Sequence, residues 1–293
     1  MKKHKTVSPW WTVTFCFAIL WLLITGLPFY YLVITSFKSI GDFLSGGLFK
    51  MTVVWEVSNY VKVLQGGFSY YFASSLTVVL ASRAPPLFLS TFAAYPLFQM
   101  TFKLNKPVYS LIVAAMSVPI YITLTLVFVM AIRTGFYDTL WAMVGPNIAF
   151  NLPMSVVILV SFMRGIPREL EEAAKIDGCG KFATFFRIIF PPSKSGLVTL
   201  GIYNGVVIWN EFIFVMVLIQ SQSVRTMPLA VWQFQGQYSS SIPVIVAVLT
   251  LSSLPIISLY IFGQDKLVKG MMAGAVKGLD LTPTGRHKDK REL

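Results

Sequence analysis

Six long apolar runs separated by polar stretches set the pattern of the chain: residues 10–34, 70–98, 108–132, 140–163, 195–219 and 242–262. Each is close to the 20 or so residues that an α-helix needs to cross a hydrocarbon layer about 30 Å thick. The expected fold class is therefore all-α: a polytopic membrane protein with six transmembrane helices in one domain, residues 10–263. Residues 1–9 and 264–293 are left as polar ends. The first run follows Met1-Lys-Lys-His-Lys5, but it is longer than the core of a secretion signal and lacks a small-residue cleavage site. It is read as an uncleaved span. Residues 36–69 and 220–240 are expected as external loops, 101–106 as a short basic turn and 133–139 as a brief outer turn.

The longest polar interruption between strongly apolar runs, residues 164–194, has a helical pattern of its own. Pro167 suits a first helical position, Glu169, Glu171 and Glu172 complement the positive start of a helix, and Gly178 can close it in a left-handed cap. Leu170, Ala173, Ala174 and Asp177 recur at i, i+3, i+4, i+7, a face of mostly small residues open to another protein surface. Phe182, Phe185, Phe186 and Ile189 repeat that spacing on a second helix, which Pro191-Pro192 is expected to end. The shape is a docking hairpin. An ordinary amphipathic surface helix between two spans is the alternative.

Composition changes the picture little: 55% hydrophobic and 12% charged residues fit a membrane protein. The net charge of +12 raises nucleic acid as a partner, but the Lys and Arg residues flank the spans and form no soluble basic patch, so membrane lipid is the expected surface and nucleic acid is not. With the N-terminus inside, eighteen of the 24 Lys and Arg residues fall on inner segments, five on outer ones (Lys38, Lys50, Lys62, Arg133, Arg225), and Arg83 alone inside a span. That distribution puts both termini and the hairpin in the cytoplasm. Cys16 and Cys179 are far apart and His4 and His287 lie on the tails, so no disulfide or metal framework is readable.

Two ionisable residues lie within spans, Arg83 in the second and Glu211 in the fifth, and a charge at bilayer depth is costly unless paired or hydrated. One reading is a buried ion pair that fixes packing. The other is a hydrophilic path whose wall includes Arg83, Asn151, Asn204, Asn210 and Glu211, with Asn147 beside them, and which favours an anionic cargo. Prolines within the spans fit either a bent path or packing alone.

Glu172-Ala173-Ala174, three residues, Gly178, nine residues, Ile188, one residue, Phe190, Pro191 closely resembles the EAA loop of ABC importer permeases, with Phe190 in place of the usual Leu. Trp209-Asn-Glu-Phe212, Thr226-Met-Pro-Leu229, Gln233-Phe-Gln-Gly-Gln237 and Ala273-Gly-Ala-Val-Lys-Gly278 extend the resemblance over nearly the whole chain, to the smaller membrane subunit of the carbohydrate-importing, maltose-type branch. The resemblance implies a type I importer permease in a bacterial or archaeal cytoplasmic membrane. Its partners would be a second permease subunit, an ATPase dimer and an extracytoplasmic solute-binding protein. It also implies that Glu171, Glu172 and Asp177 meet basic groups on the ATPase, Ala173 and Ala174 allow close packing, and Gly178 sets the turn. Gln233, Gln235, Gly236 and Gln237 would meet the binding protein. No cofactor is expected on this chain; ATP and Mg belong to the partner ATPase. Two features depart from the family: Arg83, where small or apolar residues are usual, and the polar tail beyond Gly278, where relatives often stop.

Catalysis by the chain itself is not expected. It has no G-x-x-x-x-G-K-[ST] phosphate loop, no H-E-x-x-H pair, and no His outside the tails. A permease for another solute class such as glycerol-phosphate esters, a membrane enzyme, a scaffold and a secondary transporter are the alternatives, the last calling for more mid-membrane acids than Glu211.

Overall fold

A computed structural model describes residues 9–47, 50–52, 54–99, 102–238 and 241–278. The polar N-terminal segment, except Pro9, and the tail after 278 lie outside the described residues. Among those described, all regular structure is helical. In order come α1 (Pro9–Ser36), α2 (Ile40–Ser45), α3 (Ser58–Gln65), α4 (Phe68–Gln99), α5 (Asn105–Ala115), α6 (Ile120–Thr134), α7 (Trp141–Met163), α8 (Arg168–Ile176) and α9 (Lys181–Thr184). A π-helical turn (Phe185–Ile189), α10 (Phe190–Trp209), α11 (Ile213–Leu218), a 3-10 turn (Gln222–Val224), α12 (Met227–Gln237) and α13 (Ile242–Gly278) follow.

Four described helices are long and apolar enough to cross a membrane: Trp10–Ser36, Phe68–Gln99, Trp141–Met163 and Ile242–Gln264. The expected third span is not straight. Asn105–Ala115 and Ile120–Thr134 meet at 90°, and count as a fifth crossing if taken as one broken span. Pro119 explains the break, since it lacks an N–H and disfavours helical backbone at Val118. It takes extended backbone at ψ 131° and starts α6. The expected fifth span is also interrupted. α10 stops at Trp209, where the Asn210 side chain donates to the Val206 carbonyl at 2.8 Å, a local bond that competes with the helix ladder. α13 continues as one helix to Gly278, and its apolar, membrane-crossing part ends at Gln264.

The chain divides into two compact units. One holds the residues up to Ala73 together with Thr226–Pro255. There the 36–69 stretch is ordered by Asn59, whose buried amide donates to the carbonyls of Ser36 (3.0 Å) and Lys38 (2.9 Å), while Phe37 packs on Trp55 and Tyr60. The 220–240 stretch, expected as a loop, contains α12, with Pro228 in its first turn, where a missing N–H costs nothing. Gly66 is required: a Cβ there would stand 2.6 Å from the Phe234 ring.

The other unit holds Ser74–Arg225 and the residues from Ile256 onward. Its centre is the contact of α7 with α10. On α7 the buried residues Met143, Asn147, Asn151, Ser155, Leu159 and Met163 recur every fourth position. Gly196, Gly201 and Gly205 keep α10 narrow, and Gly196 sits so close to Phe162 that a Cβ would come within 2.8 Å of its ring. The apolar core, including Ala94, Tyr95, Val160, Phe185, Ile189 and Leu200, continues this contact towards the hairpin.

Candidate functional site

The hairpin begins at α8. Pro167 is its N-cap (φ −57°, ψ 135°), one position before that expected, and Arg168 opens the helix. Its C-terminus is closed by Gly178 at φ 74°, with the Gly178 amide donating to Lys175 O (3.1 Å) and the Cys179 amide to Ala174 O (2.9 Å). These two bonds and a left-handed residue make the glycine cap that the sequence implied.

The faces of α8 differ from the expected ones. Glu171 is turned inward, 6% exposed, and its carboxylate accepts from Lys175 at 2.8 Å. That hydrogen bond, with the Glu171 charge, holds the exposed Lys175 ammonium above its ordinary pKa. Ala174 is buried too, because a small side chain lets α8 close on its own π turn. The open surface includes Leu170, Glu172, Ala173, Ile176, Asp177 and Gly178. Beside it Phe182 is also open, and Ile176 (86%) and Phe182 (80%) are the two apolar side chains the fold leaves barest here. They carry no net packing role within this chain.

Pro191-Pro192 does not end the second helix. A proline ring crowds the carbonyl four residues back, and the chain relieves this by widening one turn. The Phe190 amide reaches Phe185 O, five residues back, and Ser193 Oγ donates to Ile189 O at 2.7 Å. The result is a continuous rod from Lys181 to Trp209 that ties the hairpin to α10. Beside the π turn, Phe92, Tyr95, Pro96, Lys181, Phe182 and Phe185 line an apolar pocket of about 160 Å³.

The polar residues of the spans are not gathered as a wall. Asn147 donates to Met143 O (2.9 Å), Asn151 to Asn147 O (2.8 Å), Ser155 to Asn151 O (2.8 Å), and Asn204 to Ser155 Oγ (3.0 Å). All four are buried in the α7–α10 contact, so Asn147, Asn151 and Asn204 are packing residues here; Asn210 alone of the asparagines is open. Of the two readings left open for Arg83 and Glu211, the ion pair is not formed among the described residues. Glu211 Oε1 accepts from the Phe214 amide at 2.8 Å, capping the N-terminus of α11, and among the described residues no ion pair joins it to Arg83. Arg83 is half-buried at the middle of α4 and makes no hydrogen bond or ion pair within the described chain.

Residues 86–272 match the family of binding-protein-dependent transport system inner membrane components. The chain belongs to this family. A putative ABC transporter permease of Caldicellulosiruptor sp. is 46% identical over 94% of this chain and 98% of its own length. The melibiose/raffinose/stachyose import permease of Bacillus subtilis is 31% identical over 86% of this chain and 91% of its own. The fold is shared, at TM-score 0.73 and 19% identity over 89% of this chain and 99% of the other, with a chain of a bacterial ABC transporter that imports the acidic polysaccharide alginate. As a permease the chain is a non-catalytic, multi-pass inner-membrane component, and the ATPase is a separate chain. Among the described residues no group of three or more His, Cys, Asp or Glu could hold a metal ion.

One feature of this permease had no place in the sequence argument. Asp138, at φ 60°, binds the segment after α11: Oδ1 accepts from the amides of Gln220 (2.8 Å) and Ser221 (2.7 Å), and Oδ2 from the Ser221 hydroxyl. Burial opposes its charge, but these bonds, with the Arg225 charge, hold the carboxyl below its ordinary pKa. An aspartate between a glycine-containing turn and a span start was the available hint, since Asp tolerates the left-handed region. On α12, Gln235, Gly236 and Gln237 are exposed, whereas Gln233 is partly buried and accepts from Tyr71 Oη at 3.4 Å.

Proposed function

We propose that this chain is one of two permease subunits of an ATP-driven carbohydrate importer, with both termini and the 164–194 hairpin in the cytoplasm. The cargo class rests on the family and on relatives named for melibiose, raffinose and stachyose import. An extracytoplasmic binding protein delivers the sugar and contacts the exposed end of α12, at Gln235, Gly236 and Gln237, with Gln233 beneath them. ATP and Mg are bound by a partner ATPase dimer, into which α8 inserts.

The observation that carries the coupling reading is the open face of α8, where Glu172 and Asp177 stand beside Leu170, Ile176 and Phe182. Bare apolar groups ringed by acids outside the membrane fit a protein partner with an apolar cleft and a basic rim. Ala173 is small enough to leave the approach open, Gly178 fixes where the helix stops, and Glu171 and Ala174 act from behind by holding α8 against its own second helix. Closure of the ATPase on ATP pulls the hairpin, the Lys181–Trp209 rod transmits the movement to α10, and the path opens outward; hydrolysis resets it.

Glu172→Lys in the assembled complex tests this. Binding-protein-stimulated ATP hydrolysis is expected to fall about tenfold or more while yield and membrane insertion hold, because a reversed charge meets basic groups. Full stimulated hydrolysis and uptake in that variant would reject the docking face.

A further inference from the structure

We propose that Arg83 is an anion-recognition residue of the translocation path, and that the cargo is an acidic oligosaccharide bearing uronate or similar carboxylate groups. The inference rests on the reading of this chain as an importer permease and adds the charge of what it carries.

Arg83 stands at the middle of the 32-residue α4, where the bilayer is most apolar. A guanidinium carries five donors and no acceptor, so it needs water or an anion to receive them. Among the described residues no anion reaches it. Glu211, the other charged side chain at membrane depth, has turned one oxygen onto the Phe214 amide, and Arg83 has no ion pair or hydrogen bond within the described residues.

Its place on the helix shows where the side chain leads. Val79, Pro86 and Ser90, to one side of Arg83 on the helical wheel, are buried against the protein; Leu76 and Leu80, to the other, are exposed. Arg83 lies on the seam between the packed and open faces and is half-buried. A side chain at such a seam can be reached from outside the packed face by whatever the open face meets, a partner subunit or a cargo.

The ligand that fits is a carboxylate. The planar guanidinium presents two parallel donors matched to its two oxygens, a pairing stronger and more directional than single bonds from neutral hydroxyls. A neutral sugar passing Arg83 leaves its charge uncompensated; an acidic one neutralises it during passage. A carboxylate fixed on the second permease is the rival partner. It would have to stay with Arg83 while the two subunits rock about the midplane, and such a contact breaks in one of the two states. A carboxylate that travels with the cargo has no such constraint.

The test uses the complete complex, with second permease, ATPase and binding protein, in proteoliposomes. The probes are trisaccharides of galacturonate, glucuronate and mannuronate, each paired with its neutral methyl ester, alongside raffinose. The wild type is expected to import at least one acid and to prefer it to its ester by about tenfold or more, as sites built on a specific polar contact do. Arg83→Gln should lose that preference, its uptake of the acid falling to the level of the ester, and Arg83→Lys should keep part of it. A wild-type complex that imports neutral probes but no acid, or acid and ester alike, overturns the inference and leaves the importer reading intact. So does an Arg83→Gln complex that loses all cargoes equally, which assigns Arg83 to the partner permease. A complex that couples no sugar uptake to ATP overturns the importer reading instead.

Discussion

Gly178 is where residue chemistry was most legible, because a polar helix that must stop sharply before a second helix needs a left-handed residue, and Gly takes it at no steric cost. The structure has φ 74° there and open space around the missing Cβ, so the constraint is backbone conformation alone. Gly178→Ala is expected to destabilise the hairpin by about 1 kcal/mol and Gly178→Asn by less, since Asn visits that region more readily. Hydrogen exchange at the Cys179 amide, which closes the cap, reads the difference. The asparagines of the spans were illegible for the opposite reason. Asn151 on α7 and Asn204 on α10 show the same polarity to a sequence reader whether they face water or a packed contact, and only the buried four-residue stripe on α7, with Asn204 donating to Ser155 Oγ, tells the two apart. For Glu211 the sequence left an ion pair and a polar path both open, because the backbone amide its carboxylate accepts from is not displayed in a sequence. Its independence from Arg83 is measurable: Arg83→Gln and Glu211→Gln should combine additively in complex stability, within about 0.5 kcal/mol. A larger coupling, with the double variant rescuing either single one, would restore the ion pair.

At the scale of elements, apolar periodicity located α1, α4, α7 and the spanning part of α13, Ile242–Gln264, within a few residues, since uninterrupted runs leave the helix no competitor. It failed where a proline or a short polar group acts locally. Pro119 breaks α5 from α6, yet Pro191-Pro192, the stronger-looking signal, is absorbed by a π turn because Phe185 and Ile189 are buried and hold the rod in place. Replacing both prolines by Ala removes the cause of the wide turn. The expected outcome is a regular α-helix in which α8 and α9 are rotated relative to α10, with loss of coupled ATP hydrolysis at normal insertion; unchanged coupling would show that the turn's register is immaterial. The Asp138 clamp gives a pH-dependent counterpart. Its carboxyl is held below the ordinary value, so the clamp's stabilisation is complete above that value and is lost as pH falls through the lower, folded-state pKa. Exchange protection of the Gln220 and Ser221 amides should fall on acidification in the wild type. Asp138→Asn, which keeps the left-handed turn but not the charge, should show no such step.

For the molecule as a whole, the direction in which the spans run decides whether the hairpin meets an ATPase at all. The apolar runs are blind to that direction; the basic residues are not. Eighteen of 24 Lys and Arg fall on one side of the expected membrane, a bias that holds as long as each of the two broken runs still crosses the bilayer. The broken α5/α6 pair could still change the count of crossings if it were re-entrant, and then every segment after Thr134 would change sides. Cysteine labelling separates these cases. Cys179 is half-buried on the hairpin, Cys16 lies exposed on α1, and Ser69 and Ser223 are open positions on the opposite side in the proposed topology. With Cys16 replaced by Ser, a membrane-impermeant maleimide on intact cells should label Ser69→Cys and Ser223→Cys, and should reach Cys179 only after permeabilisation. A re-entrant pair would leave Ser69→Cys labelled from outside but move Ser223→Cys inside and Cys179 outside. That pattern would put α8 beyond the reach of any cytoplasmic ATPase and end the coupling argument, whatever the hairpin's resemblance to its family.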